Sequence, residues 1–312
     1  MERKALFREA FLEAFGAPPS ENVPLAALST FGIGGPADFF FEARSADELN
    51  RALNLAAKER YPFYVIGGGS NMLFDDAGFR GLVIRNRLEG QERRDNRLRV
   101  FSGTGLGALL KEMLSSGLSG LEFLAGIPGT VGGAVHGNAG AFGSSIGDFL
   151  EEATVLAPGG RPRTVPRRDL GFGYRLSSLQ TDRGVVLEAV LLCSDGDRKG
   201  SEEKIKDILE KRRTKHPPYG TACAGSYFKN PCSPSGEKVA AGRLLEQAGA
   251  RVLSVGDAAV YENHCNFVIN KGNARSRDVL RLAEDLKDRV FRKFGVRLEE
   301  EVIYLRADAS WL

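Results

Sequence analysis

Residues Leu124–Gly143 read Leu-Ala-Gly-Ile-Pro-Gly-Thr-Val-Gly-Gly-Ala-Val-His-Gly-Asn-Ala-Gly-Ala-Phe-Gly, with glycine at 126, 129, 132, 133, 137, 140 and 143. A helix or strand so poor in side chains would pack badly and lose much conformational entropy on folding. Its few large residues are mostly apolar, unlike those of a flexible Gly/Ser linker. A tight turn would need only one or two glycines. So many of them allow close backbone approach, with bare N–H groups turned towards something anionic. Gly126, Pro128, Gly129, Thr130, Gly132, Gly133 and Ala134 are the candidate contacts of that stretch. Two shorter runs could do the same chemistry. Gly67, Gly68 and Gly69 precede Ser70 and Asn71, whose side chains add donors, and Gly103 and Gly105 open a helix whose N-terminus suits phosphates. The run at 67 is not a dinucleotide fingerprint, which needs a long helix directly behind the glycines and an acidic residue about twenty further on. Here Met72-Leu-Phe-Asp-Asp-Ala-Gly breaks after one apolar triplet.

The elements around these runs follow from periodicity. Apolar residues at 7, 11, 12 and 15 predict an amphipathic helix over 3–15, ended by Gly16 and Pro18. A turn-rich segment leads to a strand at Phe39–Glu42. Ser45, with Glu48 three residues on, predicts a capping box and a helix to about Arg60. Strands are expected at Tyr61–Ile66, Leu82–Ile84, Leu98–Ser102, Glu152–Leu156 and Val185–Cys193, with a helix at Ala108–Ser115. Ser194-Asp-Gly-Asp-Arg-Lys-Gly is a polar, glycine-bearing hinge where a domain boundary is expected. Beyond it come a charged helix over 201–213, helices over 238–248 and 276–294, and short strands at Val252–Val255, Asn266–Ile269 and Val296–Leu305.

Bulk properties exclude several classes. At 312 residues the chain is long enough for two or three domains, each burying its own core. A net charge of +3 from 43 basic and 40 acidic residues, interleaved, is too dispersed for a nucleic-acid surface but compatible with an anionic small molecule. The charged N-terminal stretch is no signal-peptide core, and no apolar run has the roughly twenty residues of a membrane helix. The expectation is a cytoplasmic protein, read as a monomer. Cys193, Cys223, Cys232 and Cys265 lie far apart with no Cys-x-x-Cys pair, against a structural zinc. His216 and His264, near cysteines in sequence, read as surface or core histidines without a metal.

Taken in order, Ser29-Thr-Phe-Gly-Ile-Gly-Gly-Pro-Ala-Asp, Gly67-Gly-Gly-Ser-Asn-Met-Leu, Gly126-Ile-Pro-Gly-Thr-Val-Gly-Gly-Ala-Val, Gly173-Tyr-Arg, Gly225-Ser-Tyr-Phe-Lys-Asn-Pro and Leu298-Glu-Glu-Glu-Val resemble the UDP-N-acetylenolpyruvoylglucosamine reductases. The resemblance runs from about residue 22 onward. It implies an α+β chain with an FAD-binding fold of the vanillyl-alcohol-oxidase (PCMH) type. Two α+β subdomains, 1–85 and 86–198, would be joined by a smaller α+β substrate domain, 199–312, whose last strand returns towards the first. It further implies FAD held non-covalently, NADPH as reductant, and an enolpyruvyl sugar nucleotide as substrate, reduced to UDP-N-acetylmuramate.

By the same resemblance Arg175 clamps the substrate carboxylate where negative charge develops, Ser226 donates the proton, and Glu301 is the catalytic glutamate. A planar guanidinium suits a carboxylate. A serine hydroxyl needs a charged neighbourhood, expected from Lys229 and Asn230. A carboxylate beside an enediolate is repulsive, so Glu301 is expected at raised pKa, with Glu299 on its side of a strand and Glu300 pointing away. Lys215 resembles a phosphate contact; Tyr174, Lys229, Asn230 and His264 complete the candidate substrate site. Some relatives carry a tyrosine loop after Gly-Tyr-Arg, and this chain resembles the shorter subclass that lacks it. The alternatives are a flavin-dependent oxidase on the same scaffold or a binding module without turnover. Against the oxidase, the motifs at 225 and 298 lie outside the shared FAD fold.

Overall fold

The structure, a computed structural model, describes residues 2–232 and 237–309. It divides into two compact units. The first comprises the chain up to Asn22, Asp38–Gly68 and Gly81–Lys211; the second comprises Val23–Ala37, Gly69–Arg80 and the chain from Arg212.

The first unit holds two apolar cores. In one, helices Glu2–Phe15 and Ala46–Lys58 contribute to a core shared with a sheet ordered Ser20–Pro24, Pro36–Ala43, Phe79–Asn86, Phe63–Ile66, the last two strands parallel with Val65 opposite Ile84. Phe7 and Phe11 are buried, and Phe7 stacks on Tyr61 at 4.1 Å. Leu12, expected on the same face, is exposed, so the buried stripe of this helix is narrower than its apolar spacing suggests. Ser45 accepts the Glu48 N–H, but Glu48 reaches back to the Arg44 N–H at 2.7 Å rather than to Ser45, giving half of the expected capping box.

The other core lies under an antiparallel sheet ordered Arg163–Pro166, Leu150–Leu156, Val185–Leu192, Arg97–Phe101, Gln91–Arg94, and also takes in helices Leu106–Ser115 and Val131–His136. Ile205 and Ile208 of helix Arg198–Lys215 pack against this core, and Ser201 Oγ donates to the buried Glu122 carboxylate at 2.7 Å. The change of unit therefore falls at Lys211/Arg212, not at the polar hinge before the helix: two isoleucines and a buried hydrogen bond outweigh its charged composition.

The second unit is built on an antiparallel sheet ordered Cys223–Ser226, His264–Asn270, Ala258–Tyr261, Ser254–Val255. Helix Ser276–Phe294 buries Val279, Leu282, Ala283, Leu286 and Val290, the i, i+3, i+4 stripe of a helix with one apolar face. The expected strand over Val296–Leu305 is broken. Lys229 N–H donates to Glu299 O and Glu301 N–H to Tyr227 O; after Val302 the chain changes partner, and Ile303–Leu305 runs parallel to Met72–Phe74. One ladder cannot serve both neighbours. Met72–Phe74, the partner of this last strand, belongs to the second unit. Asp76 accepts the Ser276 N–H at the start of the long helix, and Tyr304 donates to Asp75 at 2.6 Å, fastening that segment further.

His216 packs in this unit against Phe267 at 4.8 Å and perpendicular to His264 at 5.6 Å. Burial, then the positive charges of Arg212 and its neighbours, push its pKa down to about 4. A histidine kept neutral in the fold contributes stability above its ordinary pKa near 6.5 that is lost as pH falls towards 4, because the unfolded chain takes up the proton first. Urea unfolding at pH 7 and pH 4.5 should show the wild-type chain losing up to about 2 kcal/mol more than His216→Phe over that interval. Parallel losses in the two proteins would mean that His216 is not shielded.

Candidate active site

In the first unit the candidate glycine loops meet. Gly103 N–H donates to Leu88 O at 2.8 Å, Leu106 N–H to Gly129 O at 3.0 Å, Val131 N–H to Thr104 O at 2.9 Å and Gly132 N–H to Ser102 O at 2.8 Å. Gly105 and Thr130 form an isolated bridge. A methyl group on Gly67 would lie 2.4 Å from Thr130 Oγ1, one on Gly103 2.5 Å from Leu88 N, and one on Gly132 2.8 Å from Ser102 Cβ. These three glycines are demanded by their neighbours. Others face free space. A methyl on Gly133 would come no nearer than 3.6 Å to any atom, one on Gly105 no nearer than 3.9 Å, and one on Gly107 would meet nothing within 4 Å.

The open glycines stand at the first turns of helices Leu106–Ser115 and Val131–His136, where amides lack intrahelical acceptors. Thr130 caps the second helix, its hydroxyl accepting Gly133 N–H at 3.4 Å. Gly68, Gly126, Pro128 and Gly133 are exposed and Gly129 partly so, whereas Ala134 is buried with its amide on Thr130 O and forms the frame behind. Amides that the loops do not use among themselves, at Gly67, Gly68, Gly105 and Gly129, fit the pyrophosphate of FAD.

The second half of the first run lies in the other unit. A methyl on Gly69 would sit 1.8 Å from Leu28 O, and Gly69 O accepts the Thr30 N–H. Ser70 is half-buried. The side-chain amide of Asn71, expected as an extra donor towards a ligand, donates to Glu301 O at 2.9 Å.

Arg175 sits on a loop of the first unit folded against the end of the glycine stretch. Its φ is +56°, a left-handed conformation that costs a bulky residue on the order of 1 kcal/mol and gathers at functional positions. Its Nη2 donates to Gly140 O at 3.0 Å, and its guanidinium lies over the Tyr174 ring at 5.2 Å. Buried Asn138 ties the two segments, donating to Gly173 O at 2.7 Å and accepting from Gly147 N–H at 3.1 Å; Ser177 Oγ donates to His136 O at 2.6 Å.

In the second unit Ser226 ends the strand Cys223–Ser226, opposite Phe267. The motif after it is held by buried Asn266, which accepts from Phe228 N–H and donates to Phe228 O, both at 2.9 Å, and whose own carbonyl takes the Tyr227 N–H. Lys229 and Asn230, expected to tune Ser226, have other partners. Lys229 faces Glu299 at 3.4 Å, and Asn230 Oδ1 accepts the Ala241 N–H at the start of a helix. Glu300 pairs with Lys287 at 2.7 Å, while half-buried Glu301 has its N–H on Tyr227 O. Lys215 is exposed at the end of its helix. His264 Nδ1 accepts the Asn266 N–H at 3.3 Å, and burial lowers its pKa.

Sequence reasoning missed Asn138 and Asn266, and the capping role of Thr130, which it names only as a cofactor contact. Asn138 did carry a signal, an asparagine directly after a glycine in a glycine-rich stretch, suited to its φ of +44°. Asn266 carried none.

A profile described as "FAD binding domain" matches residues 37–165, and one described as "UDP-N-acetylenolpyruvoylglucosamine reductase, C-terminal domain" matches residues 217–305. UDP-N-acetylenolpyruvoylglucosamine reductase 2 of Symbiobacterium thermophilum is 42% identical over 283 residues, 89% of either chain. The reductase of Carboxydothermus hydrogenoformans is 38% identical over 301 residues, 96% of this chain and 98% of its own. The crystal structure of UDP-N-acetylenolpyruvylglucosamine reductase from Thermus caldophilus matches with a TM-score of 0.76 and 36% identity, covering 91% of this chain and 98% of that one. The fold is thus the FAD-binding α+β architecture expected, and the chain belongs to the UDP-N-acetylenolpyruvoylglucosamine reductase family.

Proposed function

We propose that this chain reduces the enolpyruvyl ether of UDP-N-acetylglucosamine enolpyruvate to UDP-N-acetylmuramate, a step of peptidoglycan precursor synthesis, using NADPH in the cytoplasm. One observation carries the reading: the match extends through the C-terminal substrate domain, 217–305, and is not confined to the FAD fold that many enzymes share. Among the described residues no helix is long and apolar enough to cross a membrane.

Bound FAD supplies the two-electron hydride chemistry, and the amides at Gly67, Gly68, Gly105 and Gly129 are the groups that would hold its pyrophosphate. The rest falls to side chains. Hydride addition to a C=C conjugated with a carboxylate develops charge as an enediolate. Arg175 binds that carboxylate through its planar fork and stabilises the charge most where water is excluded. Ser226 gives its hydroxyl proton to the neighbouring carbon. A protonated Glu301 hydrogen-bonds the substrate carboxylate or relays the proton, which removes the repulsion an ionised carboxylate would create. Lys215 and His264 face the polar remainder of the substrate, with Lys215 on its phosphates, and Tyr174 supports the Arg175 guanidinium.

Purified protein should be yellow. Gly67→Val, whose side chain would collide with Thr130, should come out largely colourless while keeping the wild-type circular dichroism spectrum; full flavin content would remove Gly67 from the cradle. NADPH should bleach the wild-type protein anaerobically, and the enolpyruvyl sugar nucleotide, rather than oxygen, should restore the colour. In stopped flow, Ser226→Ala should leave bleaching little changed and slow reoxidation by about 10²- to 10⁴-fold. If both half-reactions fell together, Ser226 would not be the proton donor. Arg175→Lys should slow reoxidation at least about tenfold, since a point charge does not replace the fork; reoxidation at the wild-type rate would end the clamp assignment.

A further inference from the structure

We propose that Asn71 is a positioning residue for Glu301, acting through the main chain. This rests on the reading of Glu301 as the carboxyl that acts on the substrate. The geometry lies wholly within the second unit.

The stretch 299–303 changes partners in mid-course. Glu299 O accepts from Lys229 N–H, Glu300 bridges Phe228, and Glu301 N–H donates to Tyr227 O at 2.8 Å. The ladder with Met72–Phe74 starts only at Ile303, whose N–H donates to Asn71 O at 3.0 Å. At the changeover Glu301 O lies beyond both ladders. Asn71 Nδ2 meets it at 2.9 Å, so that a side chain adds a rung before the strand begins. Asn71 thus grips the chain at two points, Glu301 O through its side chain and Ile303 N–H through its backbone.

The consequence is geometric. The N–H of Glu301 belongs to the peptide plane before its Cα, and the carbonyl to the plane after it. Tyr227 O holds the first plane and reaches the second only through a long bond from Val302 N–H at 3.4 Å; Asn71, at 2.9 Å, is the short bond on that second plane. With both planes held, φ and ψ of Glu301 are set, and so is the direction of its Cα–Cβ bond. Tyr227 directly follows Ser226, so the same pin also sets the Glu301 backbone against the strand that carries the proton donor. An aspartate at 71 could not substitute, since a carboxylate offers only acceptors to a carbonyl.

The test uses reduced holoenzyme mixed anaerobically with the enolpyruvyl sugar nucleotide, with rates referred to bound flavin. Wild type, Asn71→Ala, Asn71→Asp, Glu301→Gln and the double variant Asn71→Ala/Glu301→Gln are compared. Asn71→Ala and Asn71→Asp should each slow reoxidation by about 10- to 100-fold, the loss that follows small misplacement of a reacting group. The double variant should be no slower than Glu301→Gln alone, because a group already removed cannot be misplaced. Hydrogen exchange in the segment 299–303 should quicken in Asn71→Ala holoenzyme. Penalties that multiply in the double variant would show that Asn71 acts by another route, and the proposal falls while Glu301 keeps its role. Wild-type reoxidation by Glu301→Gln would overturn that role and this proposal together. Should Asn71→Ala fail to fold, the near-isosteric Asn71→Asp and its double variant with Glu301→Gln carry the same comparison.

Discussion

A side chain at Gly67 would need space that the Thr130 hydroxyl already fills, and one at Gly103 or Gly132 would strike backbone or Cβ atoms of the adjoining loop. That exclusion is what the site of the first unit depends on. Two loops from separate parts of the chain approach closely enough for main chain to bond main chain, Leu106 to Gly129, Val131 to Thr104, Gly132 to Ser102, and a third packs Gly67 against the Thr130 side chain. Once they are that close, the amides the loops do not use among themselves, at Gly67, Gly68, Gly105 and Gly129 and within the first turn of helix Leu106–Ser115, are presented without any side chain having to be ordered. The loops therefore carry little of the side-chain entropy cost that a site built from lysines and arginines would bear.

Around this frame the polar restraints are of one kind. Asn138, Asn266 and Asn71 each set a side-chain amide against main-chain carbonyls, and Asn138 and Asn266 also accept from main-chain N–H groups. Removing a partner from a buried pair of this sort costs about 1–3 kcal/mol, because the group left behind stays desolvated. Exposed ion pairs such as Lys229–Glu299 are worth at most about 1 kcal/mol. The amides, not the many surface charges, hold the loops that carry Arg175, Ser226 and Glu301.

Much of this was legible in the residues. Seven glycines in one stretch pointed to backbone approach. The stripe through Val279, Leu282, Leu286 and Val290 placed its helix to the residue, because periodicity records which face is buried. Composition misled where packing overrode it: Ile205 and Ile208, in a highly charged helix, joined the core of the first unit and moved the boundary. The run 296–305 looked like one strand because its β-forming residues cannot reveal that two partners divide it. The same blindness hid Asn138 and Asn266, and the main-chain partner of Asn71. A hydrogen bond across some 230 residues, as from Asn71 to Glu301, leaves no local trace in spacing.

The pairing of Met72–Phe74 with Ile303–Leu305 bears on how the chain is made. As synthesis proceeds from the N-terminus, both apolar cores of the first unit are complete by about residue 208, whereas Met72–Phe74 stays without its parallel neighbour until nearly a hundred further residues have emerged. Until then a short, wholly buried-type strand presents unpaired main-chain groups, the kind of edge that invites mispairing with another copy. The nascent polypeptide thus passes through an interval in which one half is finished and the other is adhesive. The contact that ends it has a large loop to close.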